Sequence, residues 1–341
     1  FVAADASADL LALCREAGLR VTRVPGATAG ARLRPAAEYG LLPLAALARR
    51  VDVLHSLGNA GPVRVPRMAC VISVHDVIWR RAGDDWGDAA AQRAMDRVVA
   101  PTARRADLVI SGSEDSARDV VDELGVARER VVAVLDGARP PSPDAAFVGA
   151  ADLRARHDLP PEGPLLLCVA QKRPYKNQEA VIRALAALDD PAAALVLPGA
   201  ATPYEARLRD LAQELGVADR VRLPGWVDDE ELEGLYRAAT ALVLPSRIEG
   251  FGLPVLEAML RGTPVVCSST TALGEVAGDS ALLVDPDDQE TIDAAVARVV
   301  ADAGLRERLI AAGHARAAPF TWKRTADETV AAYRSALASR A

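Results

Sequence analysis

The hydrophobic positions of this chain follow two alternating patterns. Short runs rich in Val, Ile and Leu are separated by longer segments of Ala, Leu, Arg and Glu, in which apolar positions recur at helical spacing. The short runs are typical of strands buried on both faces, because helices cover both sides of a parallel sheet. The pattern therefore predicts a doubly wound α/β fold. In the first half, the predicted strands are Leu19–Val24, Val51–His55, Ala69–Val74, Leu108–Ser111 and Val131–Leu135.

The same alternation of strand-like and helical patterns begins again after one interruption. Proline and glycine are frequent around residues 141–163, and no sustained hydrophobic period runs through them, which is typical of a linker. We therefore predict an N-terminal domain over 1–140, this linker, a C-terminal domain over 164–320 and a helix over 321–341 that returns to the N-terminal domain. The predicted strands of the C-terminal domain are Leu165–Ala170, Ala194–Leu197, Val221–Leu223, Ala241–Leu244, Pro264–Cys267 and Ala281–Val284.

Length and charge agree with two domains and exclude one class of partner. A chain of 341 residues is long enough for two domains of ordinary size. Its net charge of −7 is the sum of +1 for residues 1–140 (19 basic, 18 acidic) and −8 for the remainder (21 basic, 29 acidic). Neither half has the clustered excess of Lys and Arg that marks a nucleic-acid surface, so we expect no nucleic-acid partner.

Cysteine usage and hydropathy indicate the compartment. Cys14, Cys70, Cys168 and Cys267 are far apart and lie mostly in apolar stretches, which favours buried free thiols in a reducing environment. No run approaches the ~20 apolar residues of a membrane span, and no signal peptide is visible. We therefore expect a cytoplasmic protein, and peripheral contact with the inner face of the membrane stays open.

One loop of the second domain carries the strongest signal for chemistry. After the predicted strand Ala241–Leu244, the chain reads Pro-Ser-Arg-Ile-Glu-Gly-Phe-Gly-Leu-Pro-Val-Leu-Glu, with seven residues between Glu249 and Glu257. The two glycines let the backbone approach a ligand closely, and the second proline suits the first turn of a helix. The N-terminus of that helix favours an anion such as a sugar diphosphate. We place Glu257 in its first turn, where the carboxylate can accept hydrogen bonds from hydroxyl groups.

This string resembles the E-x7-E signature of family 4 of the retaining glycosyltransferases, with the Gly-Phe-Gly-Leu-Pro interior intact. The segments Val221–Val227, Arg261–Val266 and Gly274–Gly278 resemble that family as well, and the resemblance covers nearly the whole chain. It implies the GT-B fold, in which two doubly wound Rossmann-like domains face each other across a cleft. It also implies transfer of a sugar from a nucleoside diphosphate to a hydroxyl group.

The resemblance assigns roles in a donor site centred on Ser246–Glu257. Glu249 would bind hydroxyls of the donor sugar, Glu257 would hold the ribose, and the backbone around Phe251 would offer N–H groups to sugar and phosphate. The stretch Leu223–Val227 would border the base, with plain packing as an equally favoured alternative at its end. The donor-binding residues implied in these segments are Ser246, Gly250, Phe251, Gly252, Leu253, Glu257, Leu223, Trp226 and Val227.

A basic loop follows the predicted strand Leu165–Ala170 and reads Gln-Lys-Arg-Pro-Tyr-Lys-Asn. A donor with two phosphates needs fixed positive charge, because charge builds up on the leaving diphosphate. In the family, a lysine at the start of the following helix supplies it, and the matching position is Lys176. The arginine that many relatives carry just after the strand is absent here. Lys172 or Arg173 would assist instead, and the sequence leaves open which of them faces the phosphate.

The first domain contributes polar residues at the ends of two predicted strands. Cys70–Val74 is apolar and is followed by His75 and Asp76, and the resemblance to the family's Val-His-Asp segment implies that His75 contacts the donor sugar. Asp76 would orient that histidine or close the following loop. The segment His55–Asn59 ends another strand, although a structural role is the commoner one for a single histidine. The catalytic candidates are thus Glu249, Lys176 and His75, and the acceptor-side candidates are His55, Asn59 and Asp76.

The sequence predicts neither a metal site nor a bound cofactor. The acidic segment Asp285–Asp288 resembles a carboxylate cluster, but a turn followed by a helix N-cap explains it, because it lies between a strand and a helix. We therefore expect the nucleotide sugar to be a co-substrate and the transfer to be metal-independent.

The resemblance implies a retaining, hexosyltransferase-like enzyme of polysaccharide, glycolipid or related glycoconjugate synthesis. Its acceptor would be a sugar, a lipid-linked sugar or a small molecule. One alternative is another GT-B enzyme, such as a sugar-nucleotide epimerase or a phosphorylase, although no lysine of the second domain is placed for the Schiff base of a pyridoxal enzyme. The other alternative is a non-catalytic subunit that binds nucleotide sugars. The base, the sugar and the acceptor are not identified by the sequence.

The beginning of the chain departs from the family pattern. Phe1 opens what reads as a strand or its end, and the first strand and glycine-rich loop of relatives are not found before Leu19. We expect the natural protein to extend roughly 30 to 60 residues further, about one βα unit and its connection.

Overall fold

The computed structural model describes residues 2–3, 8–24, 37–142 and 146–340. Over these ranges the chain forms two α/β domains, each built on a parallel sheet. The prediction of two doubly wound α/β domains is thereby confirmed. The strand Val2–Ala3 opens the chain, and residues 143–145, inside the predicted linker, lie outside the described ranges.

The N-terminal domain alternates strands and helices along most of its length. A π-helical turn at Ala37–Leu41 leads directly into the helix Leu42–Ala48. Its elements are β1 Val2–Ala3, α1 Ala8–Glu16, β2 Arg23–Val24, α2 Leu42–Ala48, β3 Val53–Ser56, β4 Ala69–Ser73, α3 Ile78–Arg81, α4 Ala89–Arg105, β5 Leu108–Ser111, α5 Glu114–Leu124 and β6 Val131–Ala133.

The main N-terminal sheet is parallel, with the spatial order β3-β4-β5-β6. All five residues of β4 are buried, which explains why its sequence is apolar without alternation. Ile72 faces one side, where α4 and α5 supply Val99 and Val120. Val71 faces the other side, where the last helix of the chain supplies Ala332. Both faces of this sheet are therefore covered.

The predicted strand Leu19–Val24 is shorter in the structure. Only Arg23–Val24 is a strand, and it pairs in parallel with Val2–Ala3 in a separate two-stranded sheet. Leu19 is exposed, so the start of the predicted strand has no apolar face to bury against the domain.

The C-terminal domain repeats the alternation with more elements. Its first helix lies within the predicted linker. Its elements are α6 Ala150–Arg156, β7 Leu165–Leu167, α7 Gln178–Ala187, β8 Ala194–Pro198, α8 Glu205–Glu214, β9 Val221–Gly225, α9 Asp229–Ala238, β10 Ala241–Leu244, α10 Leu253–Leu260, β11 Val265–Ser268, α11 Thr271–Ala277, β12 Leu282–Val284, α12 Gln289–Ala301 and α13 Ala303–Ala317, and they are followed by the separate helix α14 Trp322–Ala338.

The C-terminal sheet has six parallel strands in the order β12-β11-β10-β7-β8-β9. The chain runs outward from β7 to β9 on one side and from β10 to β12 on the other. The strand order therefore reverses between β7 and β10, which pair directly through Leu166 and Ala241. Ligands of doubly wound sheets bind at such a switch point, beyond the carboxyl ends of the strands. The loops after β7 and β10 are those that carry Lys176 and Glu249.

The predicted linker contains a helix. Ala150–Arg156 forms α6, and its Leu153 is fully buried against the C-terminal domain beside Gly234. The prolines and glycines around this short helix hide its hydrophobic period, because seven residues hold only two turns.

The last helix, α14, packs on the N-terminal sheet. Oγ1 of Thr325 donates to the carbonyl oxygen of Leu135 at 2.7 Å, and Gly137 lies so close to the backbone of Trp322 that a side chain there would collide with it. Helices α4 and α14, with 17 residues each, are the longest in the described ranges. No helix within those ranges is both long and apolar enough to cross a membrane.

Candidate active site

The loop after β10 carries Glu249, and its neighbours fix the direction of that side chain. Oε1 of Glu249 accepts a hydrogen bond from Oγ of Ser246 at 2.9 Å. The same oxygen lies 2.7 Å from Nζ of Lys176. Ser246 is fully buried, so its hydroxyl is a rigid donor for this bond. The carboxylate is therefore held at the switch point by two groups.

Lys176 reaches this carboxylate from the loop after β7. Pro174–Lys176 forms one 3₁₀ turn, and Asn177, with φ of 55°, leads the chain into α7. Nδ2 of Asn177 donates to the carbonyl oxygen of Pro286 at 2.7 Å and anchors the turn. Burial disfavours the charged form of Lys176, but the Glu249 carboxylate outweighs burial and raises the pKa of the lysine. Lys176 is thus a fixed positive charge at neutral pH.

The N-terminal domain touches the same loop at Gly250. A Cβ atom on Gly250 would lie 2.9 Å from Cβ of Asp76 and 3.1 Å from the carbonyl oxygen of His75. The carbonyl oxygen of Gly250 accepts hydrogen bonds from Oγ of Ser113 at 2.9 Å and from Oγ of Ser116 at 2.8 Å. The loops after β4 and β5 therefore close directly on the loop that carries Glu249.

A second contact joins the domains nearby. Glu275, on α11, accepts hydrogen bonds from the backbone N–H of Glu114 at 3.1 Å and of Asp115 at 3.2 Å. These N–H groups open α5 and have no partner within their own helix. A carboxylate at this end also complements the helix dipole, so Glu275 stabilises the approach of α5 to the C-terminal domain.

His75 and Asp76 lie at the end of β4 and have different partners. Nε2 of His75 lies 2.9 Å from the carbonyl oxygen of Leu57, and its backbone N–H donates to Oδ1 of Asn59 at 3.1 Å. Oδ1 of Asp76 accepts from the N–H of Ile78 at 3.1 Å, so this bond goes to the turn that follows. Burial raises the pKa of Asp76, and the Ile78 N–H only partly offsets this.

Both ring nitrogens of His55 are within hydrogen-bonding distance of side chains in the fold. Nδ1 lies 2.7 Å from the hydroxyl of Tyr333 on α14, and Nε2 lies 2.9 Å from Oγ of Ser73. Burial, and next the nearby His75, lower the pKa of His55 to about 4, so its ring is neutral at pH 7. His55 and Asn59 also line a mostly apolar pocket of about 750 Å³ between the loop after β3 and α4. Their acceptor-side role stays a prediction.

Lys172 and Arg173 point in different directions. Lys172 is 0% exposed, and its Nζ donates to the carbonyl oxygen of Gly199 at 2.5 Å. A side chain enclosed in this way does not present its charge to the cleft, so the structure disfavours Lys172, one of the two alternatives that the sequence left open for a contact with the donor phosphate. Nη1 of Arg173 donates to the carbonyl oxygen of Trp86 at 2.7 Å, and its guanidinium lies 5.9 Å from the centre of that ring. Arg173 therefore joins the two domains.

The remaining donor-side residues occupy two loops of the C-terminal domain. Phe251 is buried in the core, so it offers a ligand its backbone rather than its ring. Leu253 is exposed at the start of α10. Trp226 is 84% exposed just after β9, whereas Leu223 and Val227 are partly buried against the core. The base-bordering role of this stretch stays a prediction.

Glu257 lies on α10, one turn further along than predicted. The helix begins at Leu253, so Glu257 is its fifth residue and belongs to the second turn. Its Oε2 accepts a hydrogen bond from the hydroxyl of Tyr236 at 2.7 Å. The side chain lines a polar pocket of about 370 Å³ between α9, α10 and the segment Arg139–Ser142. A ligand in this pocket would meet an already oriented carboxylate.

The N-terminus of α10 has free donors. Its N-cap is Gly252, with φ of 108° and no side-chain cap, and Pro254 is the second residue of the helix. In the part of the chain that the structure describes, the N–H groups of Gly250, Phe251 and Gly252 donate to no acceptor. Free N–H groups at the start of a helix attract an anion, so this backbone suits a phosphate.

The acidic segment after β12 is a turn and a cap. Oδ1 of Asp285 accepts from the N–H of Asp287 at 2.9 Å, and the side chain of Asp288 caps α12. The interpretation of this segment as a turn with an N-cap is confirmed. Among the described residues, no group of three or more His, Cys, Asp or Glu side chains is arranged to hold a metal ion.

Several residues of the cleft were not among the predicted candidates. Ser113 and Ser116 hold Gly250, and Asp136 follows β6 with Oδ2 3.3 Å from where a Cβ of Gly112 would lie. Burial raises the pKa of Asp136. Each follows or lies close to the carboxyl end of a parallel strand, which is the one sequence signal that could have found them. No local pattern reveals a partner 137 residues away.

Comparison with known families gives a match for each domain. The family described as "Glycosyl transferase 4-like domain" matches residues 1–137. The family described as "Glycosyl transferases group 1" matches residues 150–316. Together the two matches span most of the chain, and each lies over one of its two domains.

Individual relatives are similar over parts of their length. The D-inositol 3-phosphate glycosyltransferase of Nocardiopsis dassonvillei is 35% identical over 276 residues, which are 76% of this chain and 62% of that protein. The O-antigen chain mannosyltransferase B of Escherichia coli is 46% identical over 114 residues, 33% of this chain and 30% of that protein. The matched region thus spans less than two thirds of each of these relatives.

Solved structures share the arrangement of the domains. The structure of Anabaena HepE in complex with UDP and glucose has a TM-score of 0.73 and 20% sequence identity, and the alignment covers 98% of this chain and 91% of that one. At this identity the likeness concerns the fold. With two parallel-sheet domains, a glycosyltransferase family match to each and this neighbour, the chain has the GT-B fold, and its second domain is similar to the group 1 glycosyltransferases.

Proposed function

We propose that this chain transfers a sugar from a nucleoside diphosphate to a hydroxyl group of an acceptor, with retention of the anomeric configuration. The observation that carries the proposal is the Lys176–Glu249 pair at the switch point, 2.7 Å apart and next to free backbone N–H groups. A fixed cation beside free N–H groups suits a diphosphate, and a carboxylate suits sugar hydroxyls. The cleft therefore offers complementary groups to both ends of a nucleotide sugar.

Lys176 offsets the charge that builds up on the diphosphate as the bond to the sugar breaks. Its raised pKa keeps it protonated, so the charge is in place before the donor arrives. A preorganised cation of this kind needs little rearrangement during the reaction. The proposal therefore includes transfer that does not depend on a divalent ion.

Glu249 positions the donor in this proposal and is not the nucleophile. Its carboxylate is already engaged by Ser246 and Lys176, which hold it in one direction. The bond from the anomeric carbon to the phosphate oxygen breaks while a bond to the acceptor oxygen forms on the same face of the sugar. The departing phosphate oxygen takes the acceptor's proton, as in the family that the motif resembles. His75 lies at the same cleft and contacts the sugar.

The second turn of α10 and the loop after β9 bind the nucleoside end of the donor in this proposal. Glu257, oriented by the hydroxyl of Tyr236, accepts hydrogen bonds from the ribose. A hydrogen bond to a charged acceptor contributes roughly 1.5 to 3 kcal/mol, so this contact makes a large share of the nucleoside affinity. Trp226, exposed just after β9, borders the base.

The names of similar proteins narrow the range of substrates that we propose. Anabaena HepE was crystallised with UDP and glucose, and the Escherichia coli relative is named an O-antigen chain mannosyltransferase. The Nocardiopsis relative is named for D-inositol 3-phosphate. On this support we propose that the donor is a nucleotide-linked hexose and that the acceptor is a sugar or another polyol.

The test begins with a thermal-shift screen of UDP-, GDP- and ADP-linked hexoses. A donor at 100 times its Kd adds roughly 2.7 kcal/mol of stability, which such a screen detects. The stabilising donor is then incubated with inositol phosphate or mannose oligosaccharides, with and without EDTA, and the product is examined by NMR. We expect a product with the donor's anomeric configuration in both samples. An inverted anomer or a loss with EDTA contradicts the mechanism, and no stabilisation by any donor contradicts the function.

A further inference from the structure

Two hydroxyl groups of the N-terminal domain converge on one carbonyl of the donor loop. Ser113, the N-cap of α5, and Ser116, in its first turn, donate to the carbonyl oxygen of Gly250 at 2.9 and 2.8 Å. Both serines are almost fully buried, so neither bond is exchanged readily for water. A carbonyl oxygen has two lone pairs, and these two donors occupy them both.

This arrangement fixes the direction of the next N–H group. In a trans peptide the C=O of one residue and the N–H of the following residue point in opposite directions within one plane. The N–H of Phe251 therefore points away from α5. It has no acceptor within the described ranges. The side chain of Phe251 is buried in the C-terminal core, which prevents the peptide from turning over.

We infer that Ser113 and Ser116 are positioning residues for the donor. By holding the Gly250 carbonyl, they aim the Phe251 N–H at the part of the nucleotide sugar beyond its first phosphate. The inference rests on the proposed function and deepens it, because the donor site in the C-terminal domain is then completed by side chains of the N-terminal domain.

The position of α5 itself is secured from the opposite side. Glu275 accepts hydrogen bonds from the first two N–H groups of α5, at 3.1 and 3.2 Å. The contact is therefore reciprocal, since α11 holds the start of α5 and α5 holds the carbonyl of Gly250. The serine hydroxyls reach the Gly250 carbonyl only when the two domains are in contact. The direction of the Phe251 N–H is therefore fixed when the domains close. A donor that uses this N–H binds the closed arrangement better than an open one.

Ser116→Ala is the cleaner of the two possible variants. Oγ of Ser113 also accepts from the N–H of Ser116 at 3.0 Å, so replacing Ser113 removes a helix cap as well. Ser111→Ala is a matched control, because Ser111 is equally buried and donates to the carbonyl oxygen of Val74 at 3.0 Å within its own domain. Both changes remove one buried hydroxyl bond to a carbonyl, and only one of those bonds crosses between the domains.

The experiment measures binding by calorimetry for the full chain and both variants. The probes are the nucleotide sugar that stabilises the wild type most and the nucleoside monophosphate with the same base. For Ser116→Ala we expect roughly tenfold weaker binding of the nucleotide sugar, about 1.4 kcal/mol, and unchanged binding of the monophosphate. For Ser111→Ala we expect the ratio of the two affinities to stay at its wild-type value, whatever its effect on Tm.

Three outcomes overturn the inference. If Ser116→Ala leaves nucleotide-sugar affinity unchanged, the hydroxyl does not position the donor. If it weakens both ligands equally, or if Ser111→Ala changes the affinity ratio as much, the effect is structural. If the wild type binds the monophosphate and no nucleotide sugar, the proposed function fails first, and that result is visible before any variant is made.

Discussion

The two sides of the cleft are built from different chemistry. The C-terminal side presents a protonated lysine, a paired carboxylate and free backbone N–H groups around Glu249. The N-terminal side presents the exposed imidazole of His75 and the half-buried carboxyls of Asp76 and Asp136, whose pKa values are raised by burial. The first set suits an anion. The second set suits uncharged polar groups such as sugar hydroxyls.

The net charges of the two halves of the chain are the reverse of what this contrast would suggest. Residues 1–140 carry +1, and the more acidic remainder nevertheless holds the fixed cation of the cleft. In the proposed function, anion binding therefore depends on the position and the raised pKa of one lysine rather than on the net charge of the domain. Screening supports this view, because exposed charges more than about 10 Å away contribute little at physiological salt.

The largest expected effect follows from removing the cation of the C-terminal side. In Lys176→Gln, the amide can still donate to Glu249, but the positive charge of Lys176 beside the proposed diphosphate site is lost. We expect turnover to fall by roughly 100-fold or more, the usual result of removing one electrostatic stabiliser of a transition state. Initial rates with the best donor, at saturating and at low donor concentration, measure it.

Lys172→Met is the control for that variant. Lys172 is fully buried with its Nζ on a backbone carbonyl, so its removal should change Tm and reduce turnover by less than about fivefold, roughly 1 kcal/mol. Equal losses of turnover in the two lysine variants would show that the position of the positive charge is not what distinguishes the C-terminal side of the cleft from the N-terminal side.

A smaller effect is expected where the two sides touch. In Gly250→Ala the new Cβ would lie 2.9 Å from Asp76 and 3.1 Å from the backbone of His75, so the domains must move apart. Overpacking typically costs about 1 to 3 kcal/mol, and we expect turnover to fall by roughly 10-fold, with Tm nearly unchanged if the domains relax by separating.

Gly149→Ala provides the comparison for this change. Its added Cβ would meet only the Asp152 carboxylate at 3.7 Å, an ordinary contact, and its backbone is extended with φ of −65°. We expect wild-type turnover. A fully active Gly250→Ala enzyme would mean that the cleft works without this contact between the domains.

The strands were predictable where helices cover both faces of a sheet. Ala241–Leu244 is a strand with the predicted bounds, because a run of four buried apolar residues has one simple interpretation. Leu19–Val24 was overestimated, since propensity cannot tell an exposed extended segment from a paired strand. The helix Ala150–Arg156 was missed because its short amphipathic period lies among prolines and glycines.

The candidate site could be predicted only as far as it is local in sequence. Glu249 lies on one loop with the glycines that follow it, and Lys176 opens the helix after the neighbouring strand, so motif and topology indicate both. The direction of Lys172 depends on Gly199, 27 residues away, and sequence spacing does not encode it. Ser116 has its partner 134 residues away in the other domain. Such pairs become visible only when the domains are seen together.

The smallest expected effect tests whether the N-terminal side is held by uncharged groups. The pKa of His55 is about 4 in the folded protein, against 6.5 when unfolded. Between these values the unfolded chain binds a proton that the folded chain does not, so the free energy of unfolding falls as pH falls from about 6.5 to about 4. His55→Gln removes the group that binds this proton, so the dependence of the free energy of unfolding on pH should be flatter between these values. After allowance for solvent screening, the variant should lose about 1 kcal/mol less than the wild type between pH 7.5 and pH 5. Urea unfolding at the two pH values, followed by tryptophan fluorescence, to which the buried Trp79 of the N-terminal domain contributes, measures the difference. Parallel curves for the two proteins would mean that the pKa of His55 is the same in the folded and unfolded chains, and that burial does not keep this ring neutral.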